Sequence, residues 1–137
     1  MPSNNLARAL AVVGDRWTLQ IVHALLDGPK RFGEFAESVP SIAPNILTSR
    51  LRQLVSEGLI AATPYSSRPL RLAYALTSSG RELEGSLALL ETWGAHLGGG
   101  NDGVAHPACG TPLEARLYCS TCERVVDDLH ADQVHWA

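Results

Sequence analysis

Ser41–Ile60, SIAPNILTSRLRQLVSEGLI, is the stretch whose periodicity decides the fold. Leu47, Leu51, Leu54 and Val55 recur at offsets 0, 4, 7 and 8, one apolar stripe along an α-helix of about Ala43–Glu57. Ser41 is placed to serve as N-cap, and Pro44 falls in the first turn, where its missing N–H costs nothing. Gly58 offers a left-handed stop. The opposite face carries Asn45, Ser49, Arg52, Gln53 and Ser56, flanked by Thr48, with no carboxylate before Glu57. Amphipathic helices usually mix charges on their solvent side. A face of donors and acceptors without acids suits phosphates and base edges. An ordinary solvated face fits this helix alone equally well, so its neighbours must decide.

Those neighbours divide the charge unevenly. The whole chain has 137 residues and a net charge of −3, which looks wrong for a nucleic-acid binder. Residues 1–80 hold eight Lys+Arg against five acids, 8 − 5 = +3. Residues 81–137 hold three Arg against nine acids, 3 − 9 = −6. Only the first part is drawn to DNA, and its modest surplus leaves affinity to geometry and to dimer avidity. With 45% hydrophobic and 18% charged residues, the chain can bury a core and is too apolar for disorder. It has no run of roughly 18 apolar residues and no basic-then-apolar leader, so a soluble cytoplasmic protein without membrane contact is expected.

Taken in order, Asn5–Val13 places Leu6, Leu10 and Val13 at helical spacing and stops at Gly14. Asp15 then caps a helix through about Leu26, with Trp17, Ile21, Leu25 and Leu26 inward, and Asp27-Gly28-Pro29 ends it. Phe32–Val39 reads as a short helix with Phe32 and Phe35 toward the core, and Pro40-Ser41 as a turn. Two short helices joined by a tight turn make a helix-turn-helix with the second helix as reader. After Gly58 the period changes to two. Leu59–Tyr65 reads as one strand, and Leu70, Leu72, Tyr74 and Leu76 alternate along another, with the polar tip Ser66-Ser67-Arg68-Pro69 between them. The fold class is therefore mainly α with a small β-hairpin, a winged helix-turn-helix. Asn45, Thr48, Ser49 and Arg52 are its candidate major-groove contacts. Arg68 and Arg71 on the wing are candidates for phosphate or a narrow minor groove.

The blocks GDRWTLQIVHALLDGPKRFGEF, SIAPNILTSRLRQLVSEGLI and YSSRPLRLAYALTSSGREL, with a later LETWG, resemble the HxlR-type winged helix-turn-helix transcription regulators over about Leu6–Leu97. The resemblance implies a homodimeric cytosolic regulator that reads DNA through the helix at 43–57. It leaves room for a small-molecule effector of unspecified identity. One departure stands out. Many members of that family have a cysteine thirteen positions before the Trp of the first block, a sensor of electrophiles or oxidants in some of them. Asn4 stands there in this chain, and an amide forms no thiolate.

Thr77 is placed to cap a long helix over 78–97 in which Leu83, Leu87, Leu90, Gly94 and Leu97 fall on one stripe, widened by Leu89 and Trp93. This is more apolar surface than a four-helix domain covers by itself. Leu83, Leu87, Leu90, Trp93 and Leu97 are therefore expected at a homodimer seam, with the first helix as an additional contributor. A two-fold partner would set two reader helices about one DNA turn apart. Residues 1–97 form the DNA-binding domain on this reading, and 98–105 a Gly-rich linker.

Residues 106–137 then carry a second constellation, His106-x-x-Cys109-Gly110 and Tyr118-Cys119-x-x-Cys122, before an acidic tail. Three thiolates and an imidazole in two knuckle-like pairs suit a closed, structural zinc site with ligands His106, Cys109, Cys119 and Cys122. His130 or His135 is an alternative fourth ligand, and a degenerate site or a Cys119–Cys122 redox pair are the competing readings. No phosphate-cradling Gly motif, Gly-x-Ser-x-Gly elbow or His-Glu-x-x-His occurs, so no enzyme is expected. Two functions remain: a sequence-specific DNA-binding regulator, and a protein-interaction module on a winged-helix scaffold with a zinc-binding tail.

Overall fold

A computed structural model of the chain describes residues 4–100 and 103–129. The chain divides into two compact units, residues 1–88 and 89–137. The first begins with α1, Asn5–Val13, whose N-cap Asn4 accepts the N–H of Ala7 at 2.7 Å. Helix α2, Thr18–Leu25, starts three residues later than Asp15 because Asp15 gathers the entry turn first. Its carboxylate accepts the N–H groups of Trp17 at 2.8 Å and Thr18 at 3.1 Å, and the Thr18 hydroxyl. A two-residue strand β1, Lys30–Arg31, follows, then a 3₁₀ turn, Phe32–Glu34, and the four-residue helix α3, Phe35–Ser38.

The helix expected to read DNA is α4, Pro44–Ser56. Ser41 is not its N-cap: it adopts φ 69° in the turn, and Ala43 occupies the cap position with no side-chain bond. Pro44 is the first helical residue and Gly58, at φ 74°, is the left-handed stop, both as the sequence suggests. Leu47, Leu51 and Leu54 are buried, but Val55 is 40% exposed, since it lies about 100° around the helix from Leu54. Phe32 is likewise not core. The 3₁₀ turn swings it away from the face of α3, leaving it 39% exposed while Phe35 and Val39 are fully buried.

Strands β2, Ile60–Ser67, and β3, Leu70–Leu76, form the hairpin, and β1 adds to it in the antiparallel order β1-β3-β2. The register sets Lys30 opposite Tyr74, Ile60 opposite Leu76 and Ser67 opposite Leu70. The core of the unit is Ile21, Val22, Ala24 and Leu25 from α2, Phe35 and Val39, the three α4 leucines, Leu59 and Ile60, and Leu87. Phe35 meets Tyr74 edge-on at 6.2 Å between centroids, which ties α3 to the sheet.

The long helix expected over 78–97 is broken into α5, Ser78–Arg81, and α6, Glu84–Leu97. Thr77 caps α5 through the Gly80 N–H at 3.2 Å, and its hydroxyl donates to the Gly58 carbonyl at 2.6 Å. The start of α5 is thereby pinned to the end of α4. A Cβ on Gly80 would stand 2.2 Å from the Leu59 carbonyl oxygen, so glycine is required there. The next turn tightens, with Leu83 N–H taking the Gly80 carbonyl at 3.2 Å, and α6 begins after that turn.

The second unit contains most of α6, the segment after the glycines, and the hairpin of β4, Leu117–Cys119, and β5, Arg124–Val126. The division falls inside α6 and not at Gly98. Gly103 lies against Thr92, and the Val104 N–H bonds the Thr92 hydroxyl at 3.4 Å, so the chain returns to its own helix. Among the described residues no helix is long and apolar enough to cross a membrane.

Candidate nucleic-acid interface

Helix α4 presents Asn45, Ser49 and Arg52 to solvent at offsets 0, 4 and 7, on one face. Thr48 is half-buried beside them and its hydroxyl donates to the Pro44 carbonyl at 2.9 Å, which leaves its methyl and lone pairs to face a ligand. Gln53 is taken inward, accepting from Arg50 at 2.9 Å. Arg50 is half-buried: its Nε lies 3.3 Å from Asp15 Oδ1, an ion pair from the start of α2 to the middle of α4. Burial raises the Asp15 pKa. The bonds from Thr18 and Trp17 and the Arg50 charge outweigh that and hold it below the usual 3.8. The helix is thus positioned by three leucines on one side and one charge pair on its flank.

The wing turns tightly at Arg68-Pro69, where the Ser66 hydroxyl donates to the Pro69 carbonyl at 3.0 Å. Arg68 and Arg71 are both exposed there. Pairing slips by one residue between Pro64 and Ser66, so Tyr65 stands in a bulge. The Arg31 guanidinium lies 4.2 Å from its ring centroid. Sequence reasoning missed this cation, because a two-residue strand carries no period. The adjacent basic pair Lys30-Arg31 after Gly28-Pro29 was the available signal. Between α4 and the sheet a cleft of about 320 Å³ is lined by Phe32, Thr48, Arg52, Val55, Leu72 and Tyr74, among others.

The residues expected at a dimer seam part company. Leu87 is 6% exposed and half-buried Leu83 packs with it against the core of the first unit, so these two help hold that unit together. Leu90, Trp93 and Leu97 are exposed, Trp93 to 61%, with Leu89 beside them. On α1, Leu6 and Leu10 are exposed as well.

The four expected metal ligands form two local pairs. His106 Nδ1 lies 3.3 Å from Cys109 Sγ, and the Cys122 N–H points at Cys119 Sγ at 3.4 Å. Among the described residues no three His, Cys, Asp or Glu side chains gather around one point. Hydrogen bonds from the hydroxyl and N–H of Thr111 lower the Cys109 pKa. The N–H and thiol of Cys122, the Thr121 N–H and the Arg124 charge do the same for Cys119. His130 and His135 lie outside the described residues.

Comparison with known proteins agrees with this architecture. The family model described as HxlR-like helix-turn-helix matches residues 12–101. An uncharacterized HTH-type transcriptional regulator of Mycobacterium tuberculosis is 39% identical over 122 residues, covering 86% of this chain and 77% of its own. The crystal structure of the HTH-type regulator YtcD superposes with a TM-score of 0.65 at 34% identity, over 70% of this chain and 98% of that one. A Pseudomonas aeruginosa protein described as a transcription factor superposes at 0.67 and 35% identity, over 90% of this chain and 86% of that one. The latter match extends beyond the winged helix, since residues 1–100 are only 100 of 137. With a helix-turn-helix, a β-hairpin wing and a family model spanning both, the chain belongs to the HxlR-like helix-turn-helix family of DNA-binding transcriptional regulators.

Proposed function

We propose that the chain acts in the cytoplasm as a homodimer on a two-fold-related DNA operator. Helix α4 enters the major groove with Asn45, Thr48, Ser49 and Arg52, the amino-terminal residues closest to the bases. Arg68 and Arg71 hold the phosphate backbone or the minor groove beside it. The observation that carries the reading is the outer face of α4. It exposes Asn45, Ser49 and Arg52 without a carboxylate, while its other cation, Arg50, is held by Asp15. Arg31 over Tyr65 adds positive charge on the wing sheet and supports the same side as the DNA-facing one.

The test is selection of binding sites from random double-stranded DNA by the purified protein, followed by Arg52→Ala on the enriched site. Enrichment of a two-fold repeat is expected, and Arg52→Ala should weaken it by about 1–3 kcal/mol if the side chain reads a guanine edge. Unchanged affinity at fixed salt, in a variant with the parent's circular dichroism, removes Arg52 from the reading set. Failure to enrich any sequence favours a protein-interaction role.

A further inference from the structure

We infer that His106, Cys109, Cys119 and Cys122 are the ligands of one structural zinc ion that clamps two hairpin turns together. The two turns are built alike. In each, a ligand at one position is followed by another three residues on, and the next residue has a positive φ: Gly110 at 74° and Glu123 at 54°. Glycine accepts that conformation freely, but glutamate does not, so the second turn holds its shape against a local cost. That shape folds both members of a pair onto one side of the turn.

Backbone pairing closes each turn. In the first, Ala105 bridges Pro112, the His106 N–H takes the Thr111 carbonyl at 2.8 Å, and the Gly110 N–H takes the His106 carbonyl at 2.8 Å. In the second, Cys119 pairs with Arg124 and Leu117 with Val126 across β4 and β5. The Cys122 N–H directed at Cys119 Sγ is the contact that orients a ligating sulfur.

What these turns lack is a core. None of the described residues from 103 to 129 is buried, and Leu113, Leu117, Tyr118 and Leu129 are all exposed. Segments of this size do not hold regular structure on so little apolar burial; below about 40 residues a disulfide, a metal or a partner chain usually supplies the difference. None of the three cysteines is in a disulfide. The donor set, three sulfurs and one imidazole, selects zinc over harder cations and fills a tetrahedral shell, leaving no position for chemistry. The pairs stand as two half-sites with no third ligand gathered to either. Bringing them together is the step assigned to the ion, as in small domains whose folding is coupled to metal.

The test uses the full-length protein. Elemental analysis after purification without added metal should give one zinc ion per chain. After stripping, titration with cobalt(II) should produce tetrahedral d–d bands together with thiolate-to-metal charge-transfer bands. Cys109→Ser, Cys119→Ser and Cys122→Ser should each diminish those charge-transfer bands. His106→Ala should weaken binding while keeping the thiolate bands. Wild-type protein that gives no cobalt spectrum, or that stays metal-free and closes Cys119 to Cys122 in air, overturns the site, and this arm needs no variant to fold. Full zinc content in a variant lacking all three thiols overturns it as well. An unaltered spectrum in His106→Ala overturns the assignment of His106.

Discussion

Asp15 joins the entry of α2 to α4 through its bonds to Trp17 and Thr18 and its ion pair with Arg50. Hydrogen bonds and Arg50 hold its pKa below 3.8, so the carboxylate is favoured in the folded state. A depressed carboxylate contributes stability that is fully present above its unfolded value and is lost as pH falls through the folded one. The thermal midpoint of the wild type should therefore drop on acidification below about pH 3.8, more than that of Asp15→Asn. Asp15→Asn should already be less stable at neutral pH. Parallel midpoint-versus-pH curves for the two proteins would remove Asp15 from this role. Half of the joint was legible in the sequence, where Asp15 reads as a cap. Its partner was not, because Arg50 lies 35 positions on and counts there as one more cation of the DNA-facing half. Ser41 shows the reverse error. A serine three residues before a proline looks like a cap, and the turn geometry uses it at positive φ instead.

Elements with a clear period and a hard stop were readable: α1 up to Gly14, α4 up to Gly58, and β3 with its alternating leucines. Elements fixed by a neighbour were not. Strand β1 pairs on the edge that β3 offers, and α5 carries a glycine, Gly80, where it passes close to the Leu59 carbonyl. The wing was found from its period, and its chemistry is a matter of charge. Arg68 sits at the tip, exposed, so its contact should be with phosphate and independent of sequence. Arg68→Ala should then reduce the slope of log K against log salt by about one unit and weaken specific and non-specific DNA alike. Binding isotherms across a salt series decide this. An unchanged slope with lost discrimination between sites would put Arg68 on a base edge.

At the scale of the whole molecule the question is what covers α6. Periodicity identifies an apolar stripe but says nothing of which surface meets it. The stripe from Leu83 to Leu97 proves to serve two ends, since Leu83 and Leu87 close the core of the first unit and Leu90, Trp93 and Leu97 are left exposed. Large exposed apolar side chains in succession along one helix mark an interface, and an aromatic anchor such as Trp93 carries a large share of such an interface's energy. A second copy of the chain is the partner that the proposed two-fold operator calls for. Two substitutions separate the roles. Leu87→Ala opens a cavity in the core and should cost about 2–5 kcal/mol of folding stability. Trp93 is 61% exposed, so the thermal midpoint of the isolated chain should hardly move in Trp93→Glu. In a dimer, however, it would bury an unpaired carboxylate at the seam. Sedimentation of Trp93→Glu should show monomers, and operator binding should lose the gain that comes from two linked half-sites. A Trp93→Glu protein that still sediments as a dimer and binds its operator normally would move the seam off α6.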